Sequence, residues 1–411
     1  MRVLAVNQFY PPDMSATSQL LGDLCEDLVA AGHEVEVIAS QGTYRGWERL
    51  PRRNVLRGVE VRRAWATSFG KASLVHRMAD YSSFWATAMA SAMRTKRPDV
   101  MLSLTTPPMI ALGMVSVAWV RRVPLVTWVQ DVYPDIAAAL GVLTPSSAAY
   151  RGFCAAIGAA HRMTTRIVAL SDGMAERLAA QGAPREALRT IPNWADGRLI
   201  RPVLHADNPF RREHRLGDRF VVMYSGNLGQ GHDLSTAIDT ARLLERTSPR
   251  IAFLFIGDGA RRAEAEQRAS GLRNVRFLPY QQKKDLAFSL SAADVHLVSL
   301  REGLDGLLVP SKLYGALASG RPVAYIGPRA CEAAAVVRAH GLGWEGRNGD
   351  AEGLANALGA LSTDAERWLE LCESARRTFE EKFNRPVCVA RWIEILREAA
   401  EMPRFPPRNV G

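Results

Sequence analysis

Paired cysteines are missing from this chain. Its five, Cys25, Cys154, Cys331, Cys372 and Cys388, lie far apart, with no Cys-x-x-Cys and an odd total. Neither a zinc site nor a disulfide framework is indicated, and they read as reduced core residues of a cytoplasmic protein. Long apolar runs are missing as well: the longest, Met109 to Val120, is about twelve residues, and a spanning helix needs about 20. Met1 leads straight into a strand-like Arg2 to Asn7 without an apolar stretch and cleavage site, so export is not expected. No dinucleotide fingerprint follows the first strand of either half, no Asp-x-Asp metal motif stands out, and histidines such as His161 and His296 lack ligand-like spacing, so they read as packing or capping residues.

What is present is enough for more than one core. The chain has 411 residues, 47% hydrophobic and 23% charged, near globular averages, and single cores stop growing at roughly 250–300 residues. The formal charge of +10 favours anionic partners without choosing among nucleic acid, membrane surface and phosphate-bearing molecules. No nucleic-acid module is recognisable.

Apolar runs alternate with helical periodicity from the start: Val3 to Val6, a helix ending at Gly32, Glu34 to Ala39, then Val100 to Leu104, Ile110 to Val120, Leu125 to Val129, Pro145 to His161, Arg166 to Leu170 and Gly173 to Gln181. The pattern breaks near Ile191 to Asn208 and restarts with strands expected at 220–225, 251–256, 275–278, 295–299 and 323–326. Such alternation predicts α/β folding, with parallel sheets covered by helices on both faces. The expected organisation is a doubly wound, Rossmann-like domain over 1–200, a second over 201–384, and a terminal helix and tail over 385–411.

Ligands of open parallel sheets bind beyond the carboxyl ends of the strands. The first such loop ends in Ser15, Ala16 and Thr17, which suit either an ordinary helix cap or an anion-facing helix start. Tyr224-Ser-Gly-Asn-Leu-Gly-Gln-Gly231 lets backbone approach a ligand at Gly226 and Asn227, or simply turns. Gly257, Asp258 and Gly259 read the same two ways. Pro310-Ser-Lys-Leu-Tyr-Gly315 places Ser311 and Lys312 where a helix begins, and a cation there fits a bound anion or free solvent. Asp131, in Trp128-Val-Gln-Asp-Val-Tyr-Pro-Asp135, could orient a substrate hydroxyl or cap a helix. Residues 45–65 interleave Arg45, Arg49, Arg52, Arg53, Arg57, Arg62 and Arg63 with Trp47, Leu50, Leu56 and Trp65, suiting an anionic lipid interface or a solvated basic face.

Taken in order, Ile191-Pro-Asn-Trp-Ala-Asp196, Tyr224-Ser-Gly-Asn-Leu-Gly229, Phe255-Ile-Gly-Asp-Gly259, Asn274-Val-Arg-Phe-Leu-Pro279, Ala293-Asp-Val-His-Leu-Val-Ser299 and Pro310-Ser-Lys to Gly320-Arg-Pro-Val323 resemble the GT-B glycosyltransferases of family 4. The Pro-Ser-Lys-Leu-Tyr-Gly element is similar to the branch that builds bacterial capsule, colanic acid and O-antigen. The resemblance implies two domains facing a cleft and a last helix, Arg385 to Ala400, that crosses back to the first. It implies a nucleotide-sugar donor, UDP-linked in this reading, near Gly226, Asn227, Gly257, Asp258, Pro279, Tyr280, Asp305, Ser311 and Lys312. A lipid-linked oligosaccharide acceptor is then expected near Ser15, Ala16, Thr17 and Asp131.

The chain departs from the family pattern where its two glutamates belong: Leu307 and Gly315 occupy those positions. Glu302 or Asp305 is the substitute carboxylate, and Lys312 takes over phosphate charge compensation, since Asn227 and Asp233 stand where an arginine and a lysine are common. The expected reaction is a retaining transfer without metal or cofactor, the nucleotide-sugar being a co-substrate, at the inner face of the cytoplasmic membrane. Asp131, Glu302 and Lys312 are the catalytic candidates. The rival readings are a nucleotide-sugar epimerase of the same fold, a non-catalytic nucleotide-sugar or lipid binder, and, more remotely, a nicotinamide enzyme.

Overall fold

Strands that are apolar at consecutive positions need cover on both faces, and both halves of the chain meet that need with parallel sheets between helices. The computed structural model describes residues 1–43, 49–70 and 74–402. It divides into two units, Met1–Pro192 with the chain from Val389 onward, and Asn193–Cys388.

The first unit holds β1 (Arg2–Val6), β2 (Glu34–Ser40), β3 (Arg53–Leu56), β4 (Val59–Ala64), β5 (Val100–Leu104), β6 (Leu125–Trp128), β7 (Arg166–Ala169) and β8 (Leu188–Thr190). Their order is β3-β4-β2-β1-β5-β6-β7-β8; β3 and β4 are antiparallel, and Ala5 of β1 registers between Val37 and Leu102. Leu4, Val6, Met101 and Leu125 bury against Phe84, Met114 and Val117 from the helices Leu74–Met93 and Ile110–Arg121. The chain re-enters this unit in the helix Arg385–Glu401. Trp392 packs on Trp128 with ring centroids 4.5 Å apart, both fully buried, and Glu398 pairs with Arg166 and Arg189.

The second unit holds β9 (Phe220–Ser225), β10 (Ile251–Ile256), β11 (Val275–Leu278), β12 (Val295–Ser299), β13 (Val323–Ile326) and β14 (Gly343–Gly346), ordered β11-β10-β9-β12-β13-β14. All its pairings are parallel. Val222, Tyr224, Phe253, Phe255 and Leu297 form its core with Ile238 and Leu354.

Two expectations are corrected by packing. The units divide at Pro192 and Cys388 rather than at 200 and 384, because Ala195 bridges Asn384, and Asp196 pairs with Arg385 at 3.3 Å, inside the second unit. The segment 45–65 is not uniformly a basic surface. Arg57 and Gly58, both at positive φ, make the tight turn of the β3–β4 hairpin, the backbone such a turn requires. Arg57 pairs with Glu26 and Arg62 with Glu36. Arg63 is buried, its guanidinium donating to the carbonyls of Pro11 at 2.6 Å, Ser40 at 3.3 Å and Tyr10 at 3.5 Å. Arg45 and Trp47 lie outside the described residues. Of the cysteines, Cys25, Cys331 and Cys388 are buried, whereas Cys154 and Cys372 are only partly so, and all five are free.

Arg63 thus tethers the β1 loop to β2 and β4. An Arg63→Met substitution keeps the stem and leaves those carbonyls without a donor. It is expected to lower unfolding stability by about 2–3 kcal/mol, read as a lower urea midpoint at unchanged slope; an unaltered midpoint would refute the tether.

Candidate functional site

The sense of the crossovers reverses between β1 and β5 in the first unit and between β9 and β12 in the second. Loops leaving a sheet at such a point diverge and leave a crevice at the carboxyl ends of the strands.

In the second unit the loop after β9 lies against the loop after β10, backbone to backbone. Gly226 N–H donates to Ile256 O at 2.8 Å and Leu228 N–H to Asp258 O at 2.9 Å. A Cβ on Gly257, at φ +136°, would stand 2.0 Å from the Gly226 carbonyl oxygen, and one on Gly259 2.5 Å from that of Leu228. These glycines are therefore required by the approach of two loops. Asp258 accepts its own turn bond from Gly259 N–H at 2.8 Å, and the Tyr280 hydroxyl donates to the Asp258 carbonyl at 3.3 Å, which brings the loop after β11 to the same edge. Pro279 and Asn227 are exposed there.

Lys312 reaches this edge from the helix Lys312–Ala318. Its stem covers Gly226 so closely that a Cβ there would meet Cε at 2.8 Å. Its Nζ lies 4.7 Å above the Tyr224 ring and 3.0 Å from His232 Nε2. Among the described residues no carboxylate pairs with it. Desolvation accordingly lowers the ammonium to about 7, because taking a charge out of water without a counter-ion is costly. His232 Nδ1 lies 2.7 Å from the Ser299 carbonyl. A carbonyl only accepts, so Nδ1 carries the proton; burial and the neighbouring Lys312 hold the ring neutral, its pKa pressed down to about 3. Nε2 is therefore the acceptor of a bond from Lys312 Nζ. The Ser299 hydroxyl is buried with no partner.

The structure brings Gly226, Asn227, Gly257, Asp258, Tyr280 and Lys312 together. Ser311 is exposed and its side chain makes no capping bond. The loop after β12 docks on the Gly226 loop, with Arg301 N–H donating to Gly231 O at 2.9 Å and Gly231 facing Leu304 and Leu308. It carries Glu302 exposed and Asp305 partly buried, while Leu307 is in the core. Asp233, next to His232, is buried and spent on structure: its carboxylate accepts from Ser235 N–H, Thr236 N–H and Asn348 Nδ2. The sequence reading missed His232, and the turn-capping pattern of Asp233 ahead of Ser235 was the available signal for where that loop ends.

In the first unit Ser15 stands at the start of the helix Ala16–Ala30 without capping it. Its N–H donates to Asp13 Oδ1 at 2.8 Å, and its hydroxyl is buried with no partner. Ala16 is exposed and Thr17 partly so. The Thr105 hydroxyl, after β5, receives the N–H groups of Gln130 at 3.1 Å and Asp131 at 3.4 Å. Asp131 is desolvated, and that alone lifts its carboxyl to about 6. Beyond it a cavity of about 470 Å³ is lined by Asp135, Tyr150, Arg162, Arg177 and Gln181 among others, with Gln181 Nε2 donating to the Tyr133 carbonyl at 3.1 Å. Among the described residues no group of three His, Cys, Asp or Glu is placed to hold a metal ion, and no helix is long and apolar enough to cross a membrane.

Three curated proteins share sequence with this chain at moderate identity, two of them as follows. A probable glycosyltransferase WbjE of Pseudomonas aeruginosa is 29% identical over 64% of the chain; the match takes in 66% of that protein, just under two thirds. A putative colanic acid biosynthesis glycosyl transferase WcaI of Escherichia coli is 27% identical over 78% of the chain and 82% of its own length. Among solved structures, Anabaena HepE in complex with UDP-glucose superimposes with a TM-score of 0.73 at 16% identity, over 97% of this chain and all of that one, which is a likeness of fold. The model of the glycosyl transferase 4-like domain matches residues 17–194, and that of the glycosyl transferases group 1 matches residues 219–364. The two domain families account for most of the chain, one in each unit, and the protein belongs to the GT-B glycosyltransferases of family 4.

Proposed function

We propose that this glycosyltransferase moves a sugar from a UDP-sugar to a lipid-linked oligosaccharide in cell-surface polysaccharide synthesis, with retained configuration and at the inner face of the cytoplasmic membrane. The observation that carries the donor reading is Lys312: a cation at the β9/β12 switch point, against a loop stripped of side chains at Gly226, with no carboxylate to neutralise it. A diphosphate supplies the missing charge. The UDP-glucose of the HepE complex makes UDP the first base to test, and the colanic acid name of WcaI supports a surface-polysaccharide acceptor.

In this reading Lys312 stabilises the charge that develops on the departing diphosphate, which needs no metal. The acceptor hydroxyl attacks from the same face, and its proton passes to a leaving phosphate oxygen. Glu302 or Asp305 contacts the sugar. Asp131 orients the acceptor beside Ser15, Ala16 and Thr17. The lipid surface is met by the exposed apolar residues Trp65, Phe69, Val75 and Met78, 44–75% accessible, with exposed Arg49, Arg52, Arg53 and Arg77 around them; basic and aromatic residues together suit an anionic interface.

Three measurements test this. Calorimetric binding of UDP, GDP, dTDP and NAD should give a diphosphate signal, and Lys312→Ala should weaken it by roughly 10- to 100-fold, the worth of a charged hydrogen bond, while sparing the nucleoside; equal losses would remove Lys312 from the phosphate. Desolvation pushes the Asp131 carboxyl up to about 6 from an ordinary value of 3.8, so its burial costs stability as pH rises through that window. Asp131→Asn should therefore raise stability at neutral pH by up to about 3 kcal/mol, leave it unchanged near pH 4, and reduce transfer. Higher activity in that variant would end its acceptor role. Sedimentation with vesicles should favour anionic over neutral lipid and weaken several-fold in a Trp65→Ser, Phe69→Ser double variant; indifference to both changes would discard this surface.

A further inference from the structure

His232 has no role in the reading above, yet every contact of its ring is with the site. Nδ1 is fixed by the Ser299 carbonyl at the end of β12, Nε2 faces Lys312 Nζ at 3.0 Å, and the ring meets Tyr224 edge-on at 5.9 Å. Its main-chain carbonyl is held by the Arg261 guanidinium at 2.7 Å. The carboxylates nearby in sequence or through shared partners are engaged elsewhere: Asp233 by the backbone at 235 and 236 and by Asn348, and Glu264 by Arg261. Tyr224 donates its hydroxyl to the Asn227 carbonyl. Glu302 and Asp305 stand on the loop after β12. Among the described residues the lysine nitrogen thus has one hydrogen-bond acceptor, an imidazole that is itself a base, and an aromatic face in place of a counter-ion.

We infer that His232 is the positioning residue of Lys312: it holds the lysine nitrogen over the Gly226 loop while the site is empty, and the arrival of a diphosphate draws one proton from solvent onto that nitrogen. The inference rests on the donor reading and deepens it. No bond other than N–H is made: a neutral amine, donating one hydrogen to His232 Nε2, takes a proton from the buffer and becomes an ammonium paired with phosphate. The lysine shift down to about 7 agrees in sign, because an anion restores the charged form that desolvation disfavours. An imidazole is suited to this because it accepts from amine and ammonium alike, whereas a carboxylate would keep the lysine charged and compete with the ligand.

The test is titration calorimetry of UDP, with GDP and dTDP as further probes, into the full chain in buffers of different ionisation enthalpy. At about pH 8, where a terminal phosphate of second pKa near 6 is already ionised, binding should take up nearly one proton; at about pH 6 the uptake by lysine should be small. Lys312→Met should abolish the uptake at about pH 8. At about pH 6, where the lysine is charged with or without its partner, His232→Ala should weaken diphosphate binding a few-fold to tenfold, on the order of one hydrogen bond. His232→Gln, whose amide oxygen can accept the same bond, should recover most of the loss. Binding without buffer dependence in the native protein, or His232→Ala binding as tightly as native near pH 6, overturns the inference while the donor site stands. Failure of every nucleoside diphosphate to bind removes the donor site and the inference together.

Discussion

The second unit's site depends on the approach of two strand-end loops with nothing between their backbones. The Gly226 carbonyl occupies the space that a Cβ of Gly257 would fill, and Leu228 O does the same at Gly259. Parallel strands end at the same side of the sheet, so their loops compete for the same volume. Only residues without side chains let the loops close through the bonds Gly226 to Ile256 and Leu228 to Asp258. That closure places an open backbone edge under Lys312, whose stem in turn covers Gly226.

Each unit handles buried charge in two different ways. Arg63 is committed to three carbonyls, and Arg211 and Asp294 bury each other with a 3.3 Å contact while Asp294 also accepts from Val221 N–H. These charges are satisfied and hold structure. Lys312 and Asp131 are shifted toward neutrality, in the direction desolvation dictates, and neither is neutralised by an opposite charge. Shifted groups of this kind at the carboxyl ends of parallel strands mark a candidate functional site. In family 4 terms, Leu307 and Gly315 stand where two glutamates are usual, and Leu307 is turned into core.

Much of the fold is legible because burial on both faces leaves an unbroken apolar signature. Strands β9, β10, β11, β12 and β13 begin and end where the pattern places them. The β3–β4 hairpin is not legible that way: its residues alternate with arginines, and the meaning of Arg63 depends on carbonyls some 23 to 53 positions away. Strands β8 and β14 are three or four residues long at sheet edges, the latter holding two glycines, too short and too sparse for periodicity to register. The helix Leu74–Met93 is rich in Ala and Ser, which blurs its apolar face.

At the candidate site, the ordered motifs pointed to Gly226, Gly257 and Lys312, which the structure brings together, because glycine at a strand end and a cation after Pro-Ser mean something locally. His232 was invisible, since its role is defined by a residue 80 positions later and a carbonyl 67 positions later, and a single histidine has no spacing to read. Asp233, at the position where a lysine is common, is made by folding into an acceptor for the backbone at 235 and 236. By itself, then, the sequence determined the class of fold, the strand ends that carry the site and the family, since these follow from local polarity and short-range backbone demands. Tertiary structure alone decided which charges are satisfied and which are left waiting, because that depends on distances between segments that only packing of the sheet brings together.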